Sequence, residues 1–197
     1  ARVCNTLITS SNLVVASVSF NPSGLKLFLI YMIRVQMPEM EINIMKILIF
    51  TTRQLCYNSG YYFAHKIGEE LEKLGIECDY CEIPEYAIPS AGTQIAQPAI
   101  ENAGKSVDEE AEKMLESYIG KEYLAILDFN SKLPRLILDD ESYYLDSIDA
   151  PFYNFILDHP LYHHSTLDCK LKNYYAFSID ENHCKYCLLY TSPSPRD

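Results

Sequence analysis

The sequence is poor in glycine, in basic side chains and in long apolar runs, and each shortage removes a class of function. Only 7 glycines occur in 197 residues, and no two are spaced as Gly-x-Gly-x-x-Gly. The turn after the first predicted strand holds only Gly60, near its end. A nicotinamide or flavin site of the Rossmann kind is therefore disfavoured. Lysine and arginine total 16 against 27 aspartates and glutamates, for a net charge of −11. Residues 45–186 carry 12 basic and 24 acidic side chains. So acidic a surface gives no electrostatic footprint for DNA or RNA and no attraction to anionic lipid. The one apolar run of note, Leu25 to Ile33, is short and interrupted by Lys26. A membrane span needs about 20 apolar residues. Read as a secretory signal, it lacks the small-residue cleavage site that should follow.

Residues 1–44 show no sustained hydrophobic period and few charges. They read as translated upstream non-coding sequence, disordered or poorly structured. Met45-Lys-Ile-Leu-Ile-Phe50 reads as the opening strand of a cytoplasmic α/β protein. At the other end, the string from Cys187 to Asp197 resembles a translated sequencing adapter, which sets it outside the fold. The natural protein is then expected to continue past Tyr186. This bears on the cysteines: Cys78-x-x-Cys81 and Cys184-x-x-Cys187 together mimic paired zinc-ligand spacing. Without Cys187 the second pair dissolves. The first pair lies in a predicted strand, where residues three apart face opposite sides. Free thiols and no bound metal are expected.

Between these ends the pattern alternates. Lys46 to Thr51 is a short apolar run suited to a strand buried on both faces. Phe63, Ile67, Leu71 and Leu74 then recur at helical spacing, opposite Glu69, Glu70, Glu72 and Lys73, and Gly75 ends the helix. Ile76 to Ile83 is the second strand. A long loop is expected over 84–105. Ser106-Val-Asp-Glu109 reads as a capping box opening a helix through Tyr118 that Gly120 stops. Strands follow at Tyr123–Phe129, Phe152–Leu157 and Tyr174–Ile179, with Leu133–Leu138 a helix start or a short strand. Such alternation predicts an α/β fold with a doubly wound, mainly parallel, Rossmann-like sheet.

In open sheets of this kind ligands sit outside the carboxyl ends of the strands. Polar residues gather there: Asp128, Asn130 and Ser131 where the third strand ends, Asp158-His159-Pro160 where the fourth ends, Asp180 to His183 where the fifth ends. Four of the five histidines, His159, His163, His164 and His183, lie in this last stretch. An aspartate beside an imidazole suits proton transfer. Asp128, Asn130 and Asp180 equally suit helix capping. A metal shell from His159, His163, His164, His183, Asp158 and Asp180 is weakened by Pro160, which keeps His159 out of a helix. Tyr61, Tyr62, Tyr143, Tyr144, Tyr153 and Tyr162 fall near predicted strand ends, where aromatics with polar tips suit sugars or simple packing.

With these residues in view, the chain resembles bacterial glycosyltransferase-like proteins of the CgeB/YkvP spore-coat type, which have the GT-B architecture. The resemblance rests on Met45–Phe50, Leu127–Pro134, Pro151–His164 and Ile179–His183. It implies that residues 45–186 are the N-terminal, acceptor-side half of a two-domain enzyme, with a second domain of the same chain holding the donor. The implied reaction moves a sugar from a nucleotide-sugar donor to an acceptor hydroxyl, with no further cofactor. Asp158 or His159 would be the catalytic base, and Asn130, His163, His164, Asp180 and His183 would contact substrate. The fragment alone is expected to be inactive. Two other readings remain: a non-catalytic flavodoxin- or receiver-like module that binds a partner, and a metal-dependent hydrolase built on the histidines. A complete five-stranded fold with a covered sheet edge would favour the module.

Overall fold

A computed structural model of the 197-residue chain describes residues 8–10, 13–17, 46–53, 59–84, 111–178, 180, 182–183 and 185–187. Seven strands form one sheet: β1 (Ile8–Ser10), β2 (Leu13–Ser17), β3 (Lys46–Arg53), β4 (Glu77–Pro84), β5 (Ala125–Phe129), β6 (Phe152–Ile156) and β7 (Tyr174–Ser178). Their spatial order is β1-β2-β7-β6-β5-β3-β4. The five strands from β4 to β7 are all parallel. Counted along the chain, these five stand in the order second, first, third, fourth, fifth, the flavodoxin-like form of the doubly wound sheet. The expected α/β, Rossmann-like class is what the structure shows.

Alternation along each strand builds two cores. In β3, Ile47 and Ile49 face one side of the sheet, and Leu48 and Phe50 the other. The first side is covered by α1 (Ser59–Glu72), whose buried Ala64, Ile67, Gly68 and Leu71 form one helical stripe. Phe63 and Leu74, expected within that stripe, are only partly buried at its margin. The helix ends as the sequence suggests. Gly75 has a φ of 80°, the amide of Ile76 returns to the Leu71 carbonyl (3.1 Å) and that of Gly75 to Glu72 (2.9 Å). That is the Schellman pattern, which requires a left-handed residue at Gly75. On the opposite side, helical residues 111–116 bring Leu115 onto the second core, and Gly120, at φ 73°, closes the turn that follows.

The crossovers from β5 to β6 and from β6 to β7 are built from single turns. Leu133–Arg135, Tyr144–Ser147 and Pro160–His163 are 3-10 turns, followed by a four-residue helix, His164–Leu167. The apolar run Leu133–Leu138 is thus a 3-10 turn running into an isolated bridge between Ile137 and Tyr143. Tyr144 anchors this region, its buried hydroxyl donating to the Leu115 carbonyl at 2.8 Å.

Two segments set outside the fold by sequence have described structure. Residues 8–10 and 13–17 form β1 and β2, and β2 pairs in parallel along the whole of β7. The run Leu13-Val-Val-Ala-Ser17 is compact and partly β-branched, and β7 otherwise presents an unpaired edge. Cys187, assigned to the adapter-like tail, lies in a helical turn and is 2 % exposed within the second core. A thiol behaves there as a small apolar side chain. The loop expected beyond Pro84 and the capping box at 106–109 fall outside the described residues.

Candidate functional site

The carboxyl ends of β5, β6 and β7 lie side by side, and one asparagine joins the first two. Every residue of β5 is buried up to Phe129, and the chain then turns through Asn130 at φ 49°. Asparagine tolerates this left-handed conformation better than most residues. Its Oδ1 accepts from the amides of Leu157 (2.8 Å) and Asp158 (3.3 Å), and its Nδ2 donates to Asp158 Oδ2 (2.9 Å). Its own amide donates to the Phe155 carbonyl at 2.9 Å. Asn130 is thus a clamp on the end of β6, with most of its side-chain capacity used inside the protein.

Asp158 is exposed, with Oδ2 held by Asn130 and no donor recorded on Oδ1 among the described residues. His159 caps the next turn: its Nδ1 accepts the Leu161 amide at 3.2 Å. A neutral imidazole that accepts through Nδ1 carries its proton on Nε2. The His159 ring packs edge-on against His183 and Tyr186, each 4.9 Å away between centroids. His163 is buried beneath; burial lowers its pKa, opposed by the charge of Asp158 and assisted by that of Lys132. Its Nε2 is a buried atom with no hydrogen-bond partner, as is Nδ1 of His183.

The remaining expected residues divide. Asp180 accepts the Asn182 amide at 2.6 Å, which with the nearby His183 holds its pKa below the ordinary carboxylate value. It acts as a cap at the edge of the cluster. His164 points to other business, pairing with Asp168 at 2.8 Å in the turn leading to β7. Among the tyrosines, Tyr144 and Tyr153 are core residues, whereas Tyr62 and Tyr162 are 58 % and 79 % exposed. Tyr162 lies one 3-10 turn after His159, its amide donating to the His159 carbonyl at 3.0 Å. Residues so spaced in a 3-10 turn eclipse one another.

Sequence reading named Asp128 at the strand end but missed its burial, and missed Asn154 beside it. Asp128, the fourth residue of β5, is 1 % exposed; Oδ1 accepts the Phe129 amide at 2.7 Å and Oδ2 has no partner. Burial raises its pKa to about 7, against the pull of the Ser131 hydroxyl and the Phe129 amide. Beside it in register lies Asn154 of β6, fully buried. Asn154 Oδ1 accepts the Ser131 amide (3.0 Å) and Nδ2 donates to the Tyr174 hydroxyl (3.0 Å). The available signal was the presence of Asp128 and Asn154 inside otherwise apolar runs, where a polar side chain demands a partner.

Cys78 and Cys81 face opposite sides of the sheet, and burial pushes both thiols up to about 12. They stay protonated and present no joint chelate. Among the described residues no three His, Cys, Asp or Glu converge as a metal shell, and no helix is long and apolar enough to cross a membrane. Two hollows of about 220 and 430 Å³, lined in part by Asp146, Asp149 and Asn173 and by Lys46, Glu77 and Asp79, lie at the amino ends of the strands. They are on the opposite rim from Asp158. No protein-family model, curated protein or solved structure matches this chain.

Proposed function

We propose that the domain is the acceptor-side half of a glycosyltransferase, and that the rim around Asp158 receives the acceptor hydroxyl. The observation that carries this reading is Asp158 itself. Its carboxylate is fixed through one oxygen by Asn130, open through the other, and flanked by the ring wall of His159, His183 and Tyr186. A fixed carboxylate beside aromatic and imidazole rings suits a sugar or polyol, offering one acceptor and apolar faces for the carbon skeleton. Asp158 is the better base of the expected pair. His159 has Nδ1 occupied by its cap and its proton on Nε2, so it donates a hydrogen bond to the ligand. In the reaction, Asp158 takes the hydroxyl proton, the acceptor oxygen bonds the anomeric carbon, and the sugar–phosphate bond breaks with its electron pair leaving on the nucleotide. The resemblance assigns the donor to a second domain and requires no metal.

The test is saturation-transfer NMR of the chain with a panel of sugars and polyols. Binding is expected, with at least a tenfold loss on Asp158→Asn, about the cost of one charge-assisted hydrogen bond. Absence of binding, or affinity unchanged by Asp158→Asn and His159→Ala, overturns the reading. A partner-binding module is the second reading, favoured by the flavodoxin-like order of the five parallel strands and by β2 covering the outer edge of β7. Under it, sugars do not bind and Asp158→Asn is silent.

A further inference from the structure

We infer that Asn154, in the middle of β6, is the positioning residue that holds the Asn130–Asp158 clamp in shape; its consequence for ligand affinity rests on the acceptor-site reading above. Asn154 stands between two aromatic neighbours on the strand, Tyr153 and Phe155, and every residue of β6 is buried. A valine or leucine would satisfy the packing there without a polar group to pair. What the amide adds is a bond to a backbone that no sheet ladder reaches. The Ser131 amide lies just past the end of β5, in a turn, and is buried; Asn154 Oδ1 is its acceptor at 3.0 Å. The neighbouring Ser131 hydroxyl then accepts the Leu133 amide at 3.1 Å, starting the 3-10 turn that follows. Asn130 is therefore pinned on both sides. Its own amide bonds Phe155 of β6, and the next residue's amide bonds Asn154 of β6.

That double attachment fixes the left-handed turn at Asn130 (φ 49°) and aims its side chain at Leu157 and Asp158. Asn154 reaches the site only through this turn. It is held in turn by the Tyr174 hydroxyl of β7 at 3.0 Å, so its amide cannot rotate without breaking both bonds. A buried amide satisfied at both ends has one orientation. Two adjacent strands, β5 and β6, thus converge on the placement of a single exposed carboxylate. The Tyr174 hydroxyl of β7 is a separate bond on the other end of the Asn154 amide.

Amide hydrogen exchange tests this in the full chain. In Asn154→Ala the Ser131 amide loses its acceptor, the turn loosens, and the Leu157 and Asp158 amides exchange about tenfold faster or more. Tyr174→Phe removes the other partner of Asn154 and leaves the Ser131 bond intact; it is expected to lower overall stability without that selective acceleration. Sugar affinity should fall with Asn154→Ala and hold with Tyr174→Phe. Where Asn154→Ala does not fold, the unsubstituted chain decides: the Ser131 amide must exchange as slowly as the amides of β6. Equal Leu157 and Asp158 exchange in the two variants, or a Ser131 amide exchanging at an exposed-loop rate, overturns the inference. Accelerated exchange with no change in ligand behaviour retains the positioning role and counts only against the acceptor reading.

Discussion

Asp128 is a side chain whose burial moves its charge change toward neutral pH. Its folded pKa, raised by burial to about 7, stands well above the ordinary value of 3.8. Between those values the native state holds a proton that the unfolded state has lost, so stability falls as pH rises. The contribution of the neutral carboxyl is complete below the unfolded value and is lost as pH climbs through the folded one. Facing it on the same side of the sheet are the Cys81 thiol, itself pushed up to about 12, and the uncharged Ser131 and Asn154. No cation is recorded against it among the described residues. Thermal melts from about pH 5 to about pH 8 should show a decline in the native chain that Asp128→Asn flattens; parallel curves would place the proton elsewhere. The sequence ran this strand through Asp128 to Phe129, as the structure does. It read the aspartate among the strand-end polar groups suited to capping, because its burial depends on the neighbouring strands packed around it. His159 offers a second residue-scale test. Its ring nitrogen caps the 3-10 turn, so His159→Ala should cost about 1 kcal/mol in chemical denaturation, while His159→Asn, which keeps a capping acceptor, should cost less. Equal losses would mean that the stack on His183 and Tyr186, which both variants remove, outweighs the cap.

Elements were legible where periodicity and punctuation agreed. The stripe of α1, its stop at Gly75 and the parallel strands β3, β5, β6 and β7 all follow from apolar spacing and glycine placement. An added Cβ at Gly75 meets nothing within 4 Å, so Gly75→Ala tests the backbone alone. At φ 80° the substitution should cost about 1–2 kcal/mol, read as a lower denaturation midpoint at constant slope, with Gly75→Asn costing less. An unchanged midpoint would mean that the Schellman end of α1 has an easy alternative. The 3-10 turns were not legible in the same way. Three- and four-residue turns show no period, and their cohesion comes from distant partners such as Tyr144 on Leu115. For the candidate site, the sequence placed Asp158, His159 and His183 near one rim because strand order alone dictates that. It gave no sign that Asn130 is consumed as a clamp or that His164 is taken by Asp168, since both depend on hydrogen bonds across the fold.

For the whole molecule, the telling feature is how the sheet ends. Five parallel strands would leave the outer edge of β7 open, a row of amides and carbonyls ready to pair with another chain. Here β2 lies along all of β7, with Leu13 opposite Tyr174 and Ser17 opposite Ser178, and β1 closes over β2. Composition could not announce this, because the pairing joins residues about 160 positions apart and five-residue strands carry little signal. The cover can be removed one strand at a time. A proline donates no amide, and successive residues of a strand paired on both sides direct their amides alternately to the two neighbours. Of Val14→Pro and Val15→Pro, one therefore strikes the β2–β7 ladder and the other β1–β2. The first is expected to lower thermal stability and to bring concentration-dependent association in light scattering, as the freed edge of β7 pairs between molecules. The second should cost less and leave the chain monodisperse. Self-association should grow with added salt, because a net charge of −11 keeps copies apart at low ionic strength. If both variants melt and scatter like the parent, β7 ends the sheet by itself and the edge is protected by something other than β2.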